Sequence, residues 1–191
     1  MKGMAREGKL RVWTRQHENV WKLLEEKGRY TAKRSCIALD MPEFSDILLR
    51  AYDWLVKNGP AASEKPRDAD YPIWLSFDED TVMLSGEKEL VLELEVERSL
   101  ITPIHIIKWG EILNYSYLPE NAEDERRHRE LLRLRGIDDA RAVMTQFYPE
   151  IRREIMESWK RLFDEEILFG SRLYYGNIWE IRREWVKNVR N

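Results

Sequence analysis

Residues 89–97, Glu-Leu-Val-Leu-Glu-Leu-Glu-Val-Glu, carry the clearest secondary-structure signal in the chain. Glutamate and aliphatic residues alternate along most of this stretch. Because successive side chains of a strand point to opposite faces of the sheet, the alternation predicts a strand with one face buried and the other in water. We interpret the four glutamates as the solvated face and not as a catalytic or metal-binding cluster.

Shorter strands are predicted near both ends and in the middle of the chain, over residues 10–14, 71–77 and 173–181, where β-branched and aromatic residues are frequent. A helix is predicted from about Glu18 to Gly28, since a glycine suits the left-handed position after a helix. Residues 184–189 are predicted as either a last turn or a closing strand.

The other predicted helices lie between these strands. One begins near residues 40–42 and ends at residues 58–60, and several follow in a helical insertion over about residues 104–169. This order indicates an α+β protein with a small central or split, mostly antiparallel sheet and a cluster of helices. The length of 191 residues suits a single domain, residues 1–191. Residues 59–70, rich in Pro, Ala, Ser, Lys and Asp, predict a mobile surface loop.

Composition places the chain among soluble globular proteins, with 43% apolar and 35% charged residues. No apolar run approaches the roughly 20 residues that a membrane crossing needs, and no secretory signal is recognisable, so we expect a cytoplasmic protein without membrane contact. Cys36 is the one cysteine, which excludes an intramolecular disulfide and a zinc site built on cysteines. It is either a nucleophile activated by Lys33 and Arg34 or a half-buried structural side chain.

The charge is unevenly distributed. Residues 1–35 hold ten Lys/Arg against four Glu (+6), residues 36–125 hold seven against twenty acidic residues (−13), and residues 126–191 hold fifteen against eleven (+4). The basic ends either form a cationic face for phosphates of a nucleotide or nucleic acid, or complement the acidic middle within the domain. The basic stretch on the helix around residues 126–135 has the same two interpretations, phosphate contact or pairing with interleaved acidic residues.

Motifs for several common chemistries are missing from the sequence. The three histidines have no metal-ligand spacing, so no metal site is predicted, and no glycine-rich phosphate loop or hydrolase triad motif occurs. Tryptophan is frequent, with eight residues. Trp13, Trp74 and Trp179 lie in predicted strands beside polar residues, where they either wall a pocket for a flat ring or are packed in the core.

Several motifs come in a familiar order. They are Trp-Thr-x-Gln at residues 13–16, Tyr-Pro-Ile-Trp at residues 71–74, the strand around residues 93–96, Trp-x-x-x-Phe at residues 159–163 and Ile-Trp-x-Ile at residues 178–181. Over nearly the whole chain this order resembles an uncharacterised prokaryotic family, the domain of unknown function 3841. Leu75-Ser76 stands where members of that family usually carry a second tryptophan. This resemblance implies no activity.

The chain also resembles, more loosely, the small ADP-ribosyltransferases, through its first strand, its helix ending in glycine, its alternating central strand and a late strand with a glutamate. This resemblance implies that NAD binds as a substrate in a cleft between split sheets. It also implies that Glu180 is the catalytic carboxylate, which stabilises the positive charge that develops as nicotinamide departs. Alternatively, Glu180 is an exposed strand residue paired with Arg182 or Arg183.

The same resemblance implies a set of NAD-binding residues. Arg11, or Thr14 with Gln16, would hold the NAD from the first strand, and Tyr71 or Trp74 would stack on the nicotinamide. The best functional hypothesis is therefore an NAD-dependent ADP-ribosyltransferase-like enzyme that acts on a macromolecule, with no firmly implied cofactor. The alternative is a non-enzymatic binding module for a protein or RNA partner, in which a nucleic acid is a candidate partner.

Overall fold

A six-stranded antiparallel sheet organises the fold in the computed structural model, which describes residues 8–35, 45–82, 88–167 and 169–190. The strands of the chain are β1 (Lys9–His17), β2 (Arg29–Tyr30), β3 (Ile73–Ser76), β4 (Glu89–Glu97), β5 (Thr102–His105), β6 (Tyr174–Ile178), β7 (Ile181–Arg182) and β8 (Val186–Arg190). The order in the large sheet is β5-β6-β3-β1-β4-β8, and β2 pairs with β7 in a small second sheet. The predicted α+β class with a mostly antiparallel sheet is confirmed.

The described residues contain six α-helices, α1 (Glu18–Lys27), α2 (Ser45–Asn58), α3 (Ile106–Leu113), α4 (Ala122–Arg135), α5 (Asp139–Met144) and α6 (Pro149–Ser158), and a 3-10 turn over Trp159–Phe163 continues α6. The predicted end of α1 is confirmed, because Gly28 has φ 72° and its N–H donates to the carbonyl oxygen of Leu24. The predicted helix start near residues 40–42, and Cys36, lie outside the described residues.

β5 is an element that the sequence reading did not contain. The helical segment was predicted from about residue 104, yet Ile104 and His105 pair with β6 and the first helical residue after them is Ile106. Pro103 fits this strand because β5 is at the edge of the sheet, where a missing N–H leaves no central ladder bond open.

The pairing of β1 with β4 is the longest in the sheet, from Lys9 opposite Glu97 to His17 opposite Glu89. Strand alternation places Val12, Thr14, Leu92 and Leu94 on one face, where apolar members of this set pack with Val20 and Leu24 of α1. We call this face the α1 face. A buried leucine or valine side chain contributes about 1.5–3 kcal/mol to folding, so this apolar face fixes the register of the two strands.

On the other face of the sheet, which we call the opposite face, the helices of the described residues pack over β3, β5 and β6. Trp74 and Ile104 pack there with residues of α2, α3, α5 and α6, and Trp159 lies fully buried at the centre of this cluster. Over β1, β4 and β8 the same face carries charged side chains.

Those charged side chains form an ion-pair ladder. Glu93 of β4 lies between Arg11 (Nε–Oε1 3.1 Å) and Arg190 (Nη2–Oε2 3.5 Å), and Glu95 lies between Lys9 and Lys187 at 3.5 Å from each. The basic first and last strands therefore flank the acidic central strand. Complementation within the domain, one of the two interpretations of the charge layout, agrees with this arrangement.

The C-terminal segment closes the sheet. Arg183–Trp185 forms a 3-10 turn, and β8 then pairs with β4 between Val91–Arg190 and Leu94–Val186. Of the two predictions for residues 184–189, the closing strand describes the larger part.

Glu93→Gln tests the ion-pair ladder. We expect it to lower the free energy of unfolding by about 1 kcal/mol in low salt, since both guanidinium partners are partly exposed to solvent. Glu97→Gln, on the same face of β4 but at its exposed end, is expected to change it by less than about 0.5 kcal/mol. Urea unfolding with and without added salt measures both; equal losses for the two variants would contradict the ladder.

Candidate functional site

The large sheet is nearly split between β1 and β3. Within the described sheet these strands share one residue pair, Trp13 opposite Ser76. Beyond it, the Oγ1 atom of the buried Thr14 donates a 2.8 Å hydrogen bond to the carbonyl oxygen of Trp74. A side chain therefore satisfies a carbonyl group that a regular ladder would pair with a backbone N–H.

Gln16 extends this polar contact along β1. Its Nε2 atom donates to Oγ1 of Thr14 at 2.8 Å, so the two side chains lie together on the α1 face. Arg11 lies on the opposite face, with Glu93, and its side chain is 68% exposed. Of the two predicted ways to hold NAD from the first strand, Thr14 with Gln16 is the one located at the split.

Glu180 lies between β6 and β7, next to the start of β2. Its carboxylate accepts hydrogen bonds from Arg29 and from Nε of Arg182 (2.7 Å), and its side chain is 15% exposed. Arg29 also forms a two-pronged pair with Asp68, at 2.8 and 3.2 Å. Glu180 is thus a partly buried carboxylate held by two guanidinium groups. The predicted pairing with Arg182 is present, but the exposed position is not.

These partners keep Glu180 charged. Burial raises the pKa of its carboxyl group, but the hydrogen bonds from Arg182 and Arg29, and then their charges, outweigh burial and hold the pKa below its usual range. The pKa of Arg29 is raised, chiefly by the hydrogen bond to Asp68 and next by that to Glu180. A fixed, ionised carboxylate of this kind can stabilise positive charge that develops beside it.

Thr14 and Glu180 both belong to segments whose apolar residues pack in the core of the α1 face, Val12 beside Thr14 and Ile181 beside Glu180. Arg29 follows Gly28 at the end of α1, and α1 packs on the α1 face. Ile178 and Ile181, on either side of Glu180 in the sequence, belong to the core cluster of that face. The two groups occupy different places in the fold, Thr14 with Gln16 on β1 and Glu180 with Arg29 between β6 and β7.

The two aromatic residues predicted to stack on nicotinamide are packed among other rings. Tyr71 is 2% exposed, and its hydroxyl donates to Asp53 at 2.6 Å. Trp74 projects toward the opposite face, where its Nε1 donates to the hydroxyl of Tyr52 at 2.8 Å and its ring lies 5.3 Å from that of Trp109. The packing interpretation agrees with these contacts, and the stacking role stays a prediction.

Trp179 lines a separate, mainly apolar cleft of about 340 Å³ between β6 and the loop after α2. Its Nε1 donates to the carbonyl oxygen of Ala61 at 2.8 Å. Together with the contact of Asp68 with Arg29, this bond attaches the loop over residues 59–70 to the sheet. Much of this volume is open to solvent, and the accessible cavity is about 20 Å³, which has room for about one water molecule and is far smaller than a ligand site. The predicted mobility of the loop stays a prediction.

The basic stretch of α4 is largely paired within the domain. Arg127 contacts Asp124 and Glu154, Arg129 contacts Glu125, and Arg133 contacts Glu130. Together with the ladder on β4, these pairs account for many of the cations that suggested phosphate binding. Contact with nucleic acid stays a prediction.

Sequence reasoning named Arg182 as a possible partner of Glu180 but missed Arg29, and with it the contact of Arg29 with Asp68. Arg29 belongs to a strand of two residues, which is too short for a periodic pattern, and it is 151 residues from Glu180 in the chain. Asp68 lies in a loop. One weak signal existed, because Gly28 ends α1 and so fixes where the chain turns toward Arg29.

The described residues lack both a metal-binding cluster and a membrane-spanning helix. They contain no group of three or more His, Cys, Asp or Glu residues arranged to hold a metal ion. Among the same residues, no helix combines the length and apolar character that a membrane crossing requires.

Comparison with known proteins identifies a family. The model of the family described as Domain of unknown function (DUF3841) matches residues 11–187, so the chain belongs to that family. The match contains β1 from Arg11 onward, the split and Glu180. Searches of curated proteins and of solved structures give no significant match.

Thr14→Val tests whether the side-chain bridge holds the two halves of the sheet together. The change keeps the shape but leaves the Trp74 carbonyl and the Gln16 amide without their partner, so we expect a loss of about 1–2 kcal/mol in the free energy of unfolding. Thr102→Val, the same change on the edge strand β5, is expected to cost less than about 0.5 kcal/mol. Chemical denaturation compares the two, and equal values would contradict a bridging role.

Proposed function

We propose that this member of the DUF3841 family is an NAD-cleaving, ADP-ribosyltransferase-like enzyme that acts on a macromolecule. In this proposal Glu180 is the catalytic carboxylate, and Thr14 with Gln16 holds polar groups of NAD. The observation that carries the proposal is the partly buried Glu180 carboxylate, which two guanidinium groups hold in the ionised form. The polar bridge across the split between β1 and β3 adds support.

The split supports the proposal because it is a place where a ligand can enter a sheet without breaking a regular ladder. β1 and β3 share one residue pair, and the next contact runs through a side chain. The Thr14 hydroxyl donates its one proton to the Trp74 carbonyl, so Gln16, with its second amide proton and its carbonyl oxygen, is the better partner for hydroxyl or amide groups of a ligand. The resemblance to small ADP-ribosyltransferases implies an NAD cleft at such a split.

The reaction proposed for Glu180 is substitution at the C1′ carbon of the nicotinamide-bearing ribose. The C1′–N1 bond breaks, nicotinamide leaves as a neutral molecule, and a bond forms between C1′ and a nucleophilic oxygen or nitrogen of the acceptor. The acceptor's proton goes to solvent. The positive charge of the oxocarbenium-like state grows on the sugar as nicotinamide departs, and an ionised carboxylate stabilises it.

Arg29 and Arg182 are the proposed positioning residues. Each contacts one oxygen of the Glu180 carboxylate, so together they fix its orientation and keep it ionised. A charged group that is already oriented needs less reorganisation free energy at the moment of reaction than a group that must first be ordered from solvent. The proposal assigns no role to Arg11, which is paired with Glu93 on the opposite face. Tyr71 and Trp74 support β3 from within the aromatic cluster.

Glu180→Gln tests the proposal. We expect nicotinamide release from NAD, followed by proton NMR with water or a mixture of cellular proteins and nucleic acids as acceptor, to fall by about 10²-fold or more. Glu184→Gln is the matched control, because this nearby glutamate of the same segment is 72% exposed and lies 3.9 Å from Arg182. It is expected to keep the wild-type rate.

Two results would contradict the proposal. One is no nicotinamide release by the wild-type protein with any of these acceptors, which would leave the non-enzymatic binding module for a protein or RNA as the working hypothesis. The other is an unchanged rate in Glu180→Gln. A thermal melt of each variant separates loss of catalysis from loss of folding, since the change also removes the charge partner of Arg29.

A further inference from the structure

His128 is a buried histidine that the proposed function does not use. It lies on α4 and is 3% exposed. Its Nε2 is 2.7 Å from Oδ1 of Asp139 on α5, and its Nδ1 is 3.2 Å from Oε1 of Glu154 on α6. Both ring nitrogens therefore face carboxylates, and the two carboxylates belong to two different helices.

The ring also has a fixed orientation. It stacks on Tyr117, with centroids 3.9 Å apart and planes inclined by 11°. The backbone N–H of Tyr117 donates to the second oxygen of Asp139 at 2.9 Å, so Asp139 contacts both members of the stack. His128 cannot turn away from the carboxylates without breaking this stack.

The charges around His128 balance only when it is protonated. The ionisable groups that face this site are carboxylates of α4, α5 and α6, guanidinium groups of α4 and of the turn after α6, and a phenol. They are Asp124, Asp139, Glu154, Arg127, Arg161 and Tyr117, and with His128 we call them the His128 cluster. Three negative charges face two positive charges, and the imidazolium of His128 supplies the third positive charge. Glu120 lies at the exposed edge, 3.7 Å from Arg161.

The hydrogen-bond partners of His128 also favour its protonated form. An imidazolium donates from both nitrogens, one bond to each carboxylate. A neutral imidazole donates from one nitrogen only, so its other lone pair would face a carboxylate. That face-to-face arrangement of acceptors is repulsive, and it would weaken the contact of α4 with either α5 or α6.

We propose that protonated His128 holds α5 and α6 against α4, and that loss of this proton releases α5 from the helical layer. α5 is the element most dependent on the contact, because a helix of six residues has little stability of its own. Its other anchors are the hydrogen bond from the Tyr117 backbone N–H to Asp139, the buried Ala142 and Val143, and a hydrogen bond from Arg50 to the carbonyl oxygen of Val143. The chain therefore carries a pH-dependent contact in the layer that covers Trp74.

The direction of the pH effect follows from the cluster. Burial lowers the pKa of His128, but the hydrogen bond and charge of Asp139, followed by those of Glu154, outweigh it and raise the pKa above the usual 6.5. A histidine with a raised folded-state pKa stabilises the fold fully below its unfolded pKa. That stabilisation is lost as the pH rises through the folded-state pKa. Release of α5 is thus expected on the alkaline side.

Hydrogen exchange, corrected for the intrinsic rate, tests the proposal on the wild-type protein. Between about pH 6 and pH 9 we expect the amides of α5 to lose protection by about tenfold or more, the size expected when a hydrogen bond to a charged group is lost. The amides of β4 are expected to keep theirs. An NMR titration of the His128 ring should show a pKa above 6.5.

Variants separate this contact from a general effect of pH. His128→Gln is expected to remove the pH dependence of α5 protection. Asp139→Asn makes the cluster neutral with an uncharged His128, so the loss of protection should move to lower pH. His17→Gln is the control, because His17 caps α1 and does not belong to the His128 cluster. This variant should keep the wild-type pH profile of α5 protection.

Three results would overturn the proposal, and each can be measured without the His128→Gln variant. They are a His128 ring that titrates at or below 6.5, equal loss of protection in α5 and β4, and an Asp139→Asn profile that coincides with the wild type. None of them depends on NAD cleavage, so this proposal and the proposed function fail separately.

Discussion

β1 and β4 pair from Lys9–Glu97 to His17–Glu89, and the other parts of the fold are attached to this pair. Its apolar side binds α1, and its charged side is matched by β8, whose cations share Glu93 and Glu95 with those of β1. An acidic strand between two basic strands has one favourable order, because exchange of neighbours would place like charges side by side. The uneven distribution of charge along the sequence therefore favours the observed order of β1, β4 and β8 in this half of the sheet.

The second half of the sheet, β3, β6 and β5, depends on a different support. Its backbone ladder joins β1 through one residue pair, and the hydroxyl of Thr14 adds a second link. On the α1 face the two halves share one core, because Ile73 and Ile178 pack in the same cluster as Val12. On the opposite face the helical layer covers the second half. Thr14 and Gln16 of the proposed site are located at the narrow junction, and the pH-dependent contact at His128 acts on the helical layer.

Local patterns made part of this fold predictable. The alternation in residues 89–97 defined β4, and a helix that ends in Gly28 defined α1, because both signals lie within a few residues. β5 was missed, since Pro103 and the isoleucines after it suggest the start of a helix. Lys108 shows more clearly what local sequence patterns could not predict. It is fully buried because its Nζ donates to the carbonyl oxygens of Arg161 and Asp164, and no pattern around residue 108 signals those partners.

The candidate site was predictable as a set of residues but not as an arrangement. Thr14 and Gln16 followed from their motif, and two-residue spacing on a strand placed them on one face. The same alternation puts Arg11 on the other face. The face of Trp74 depends on the register of β1 with β3, which the sequence did not show. Nor did it show Arg29 beside Glu180, which depends on the small sheet of β2 and β7.

The central claim is that NAD binds on the α1 face at the split, and a titration of the protein with NAD followed by methyl NMR tests it most directly. The account predicts saturable shifts of the Thr14 methyl group and of Ile178 and Ile181, which lie on that side, while Ile104 and Ile155 in the helical-layer core stay unchanged. Unchanged spectra at millimolar NAD, or shifts confined to Ile104 and Ile155, would contradict it.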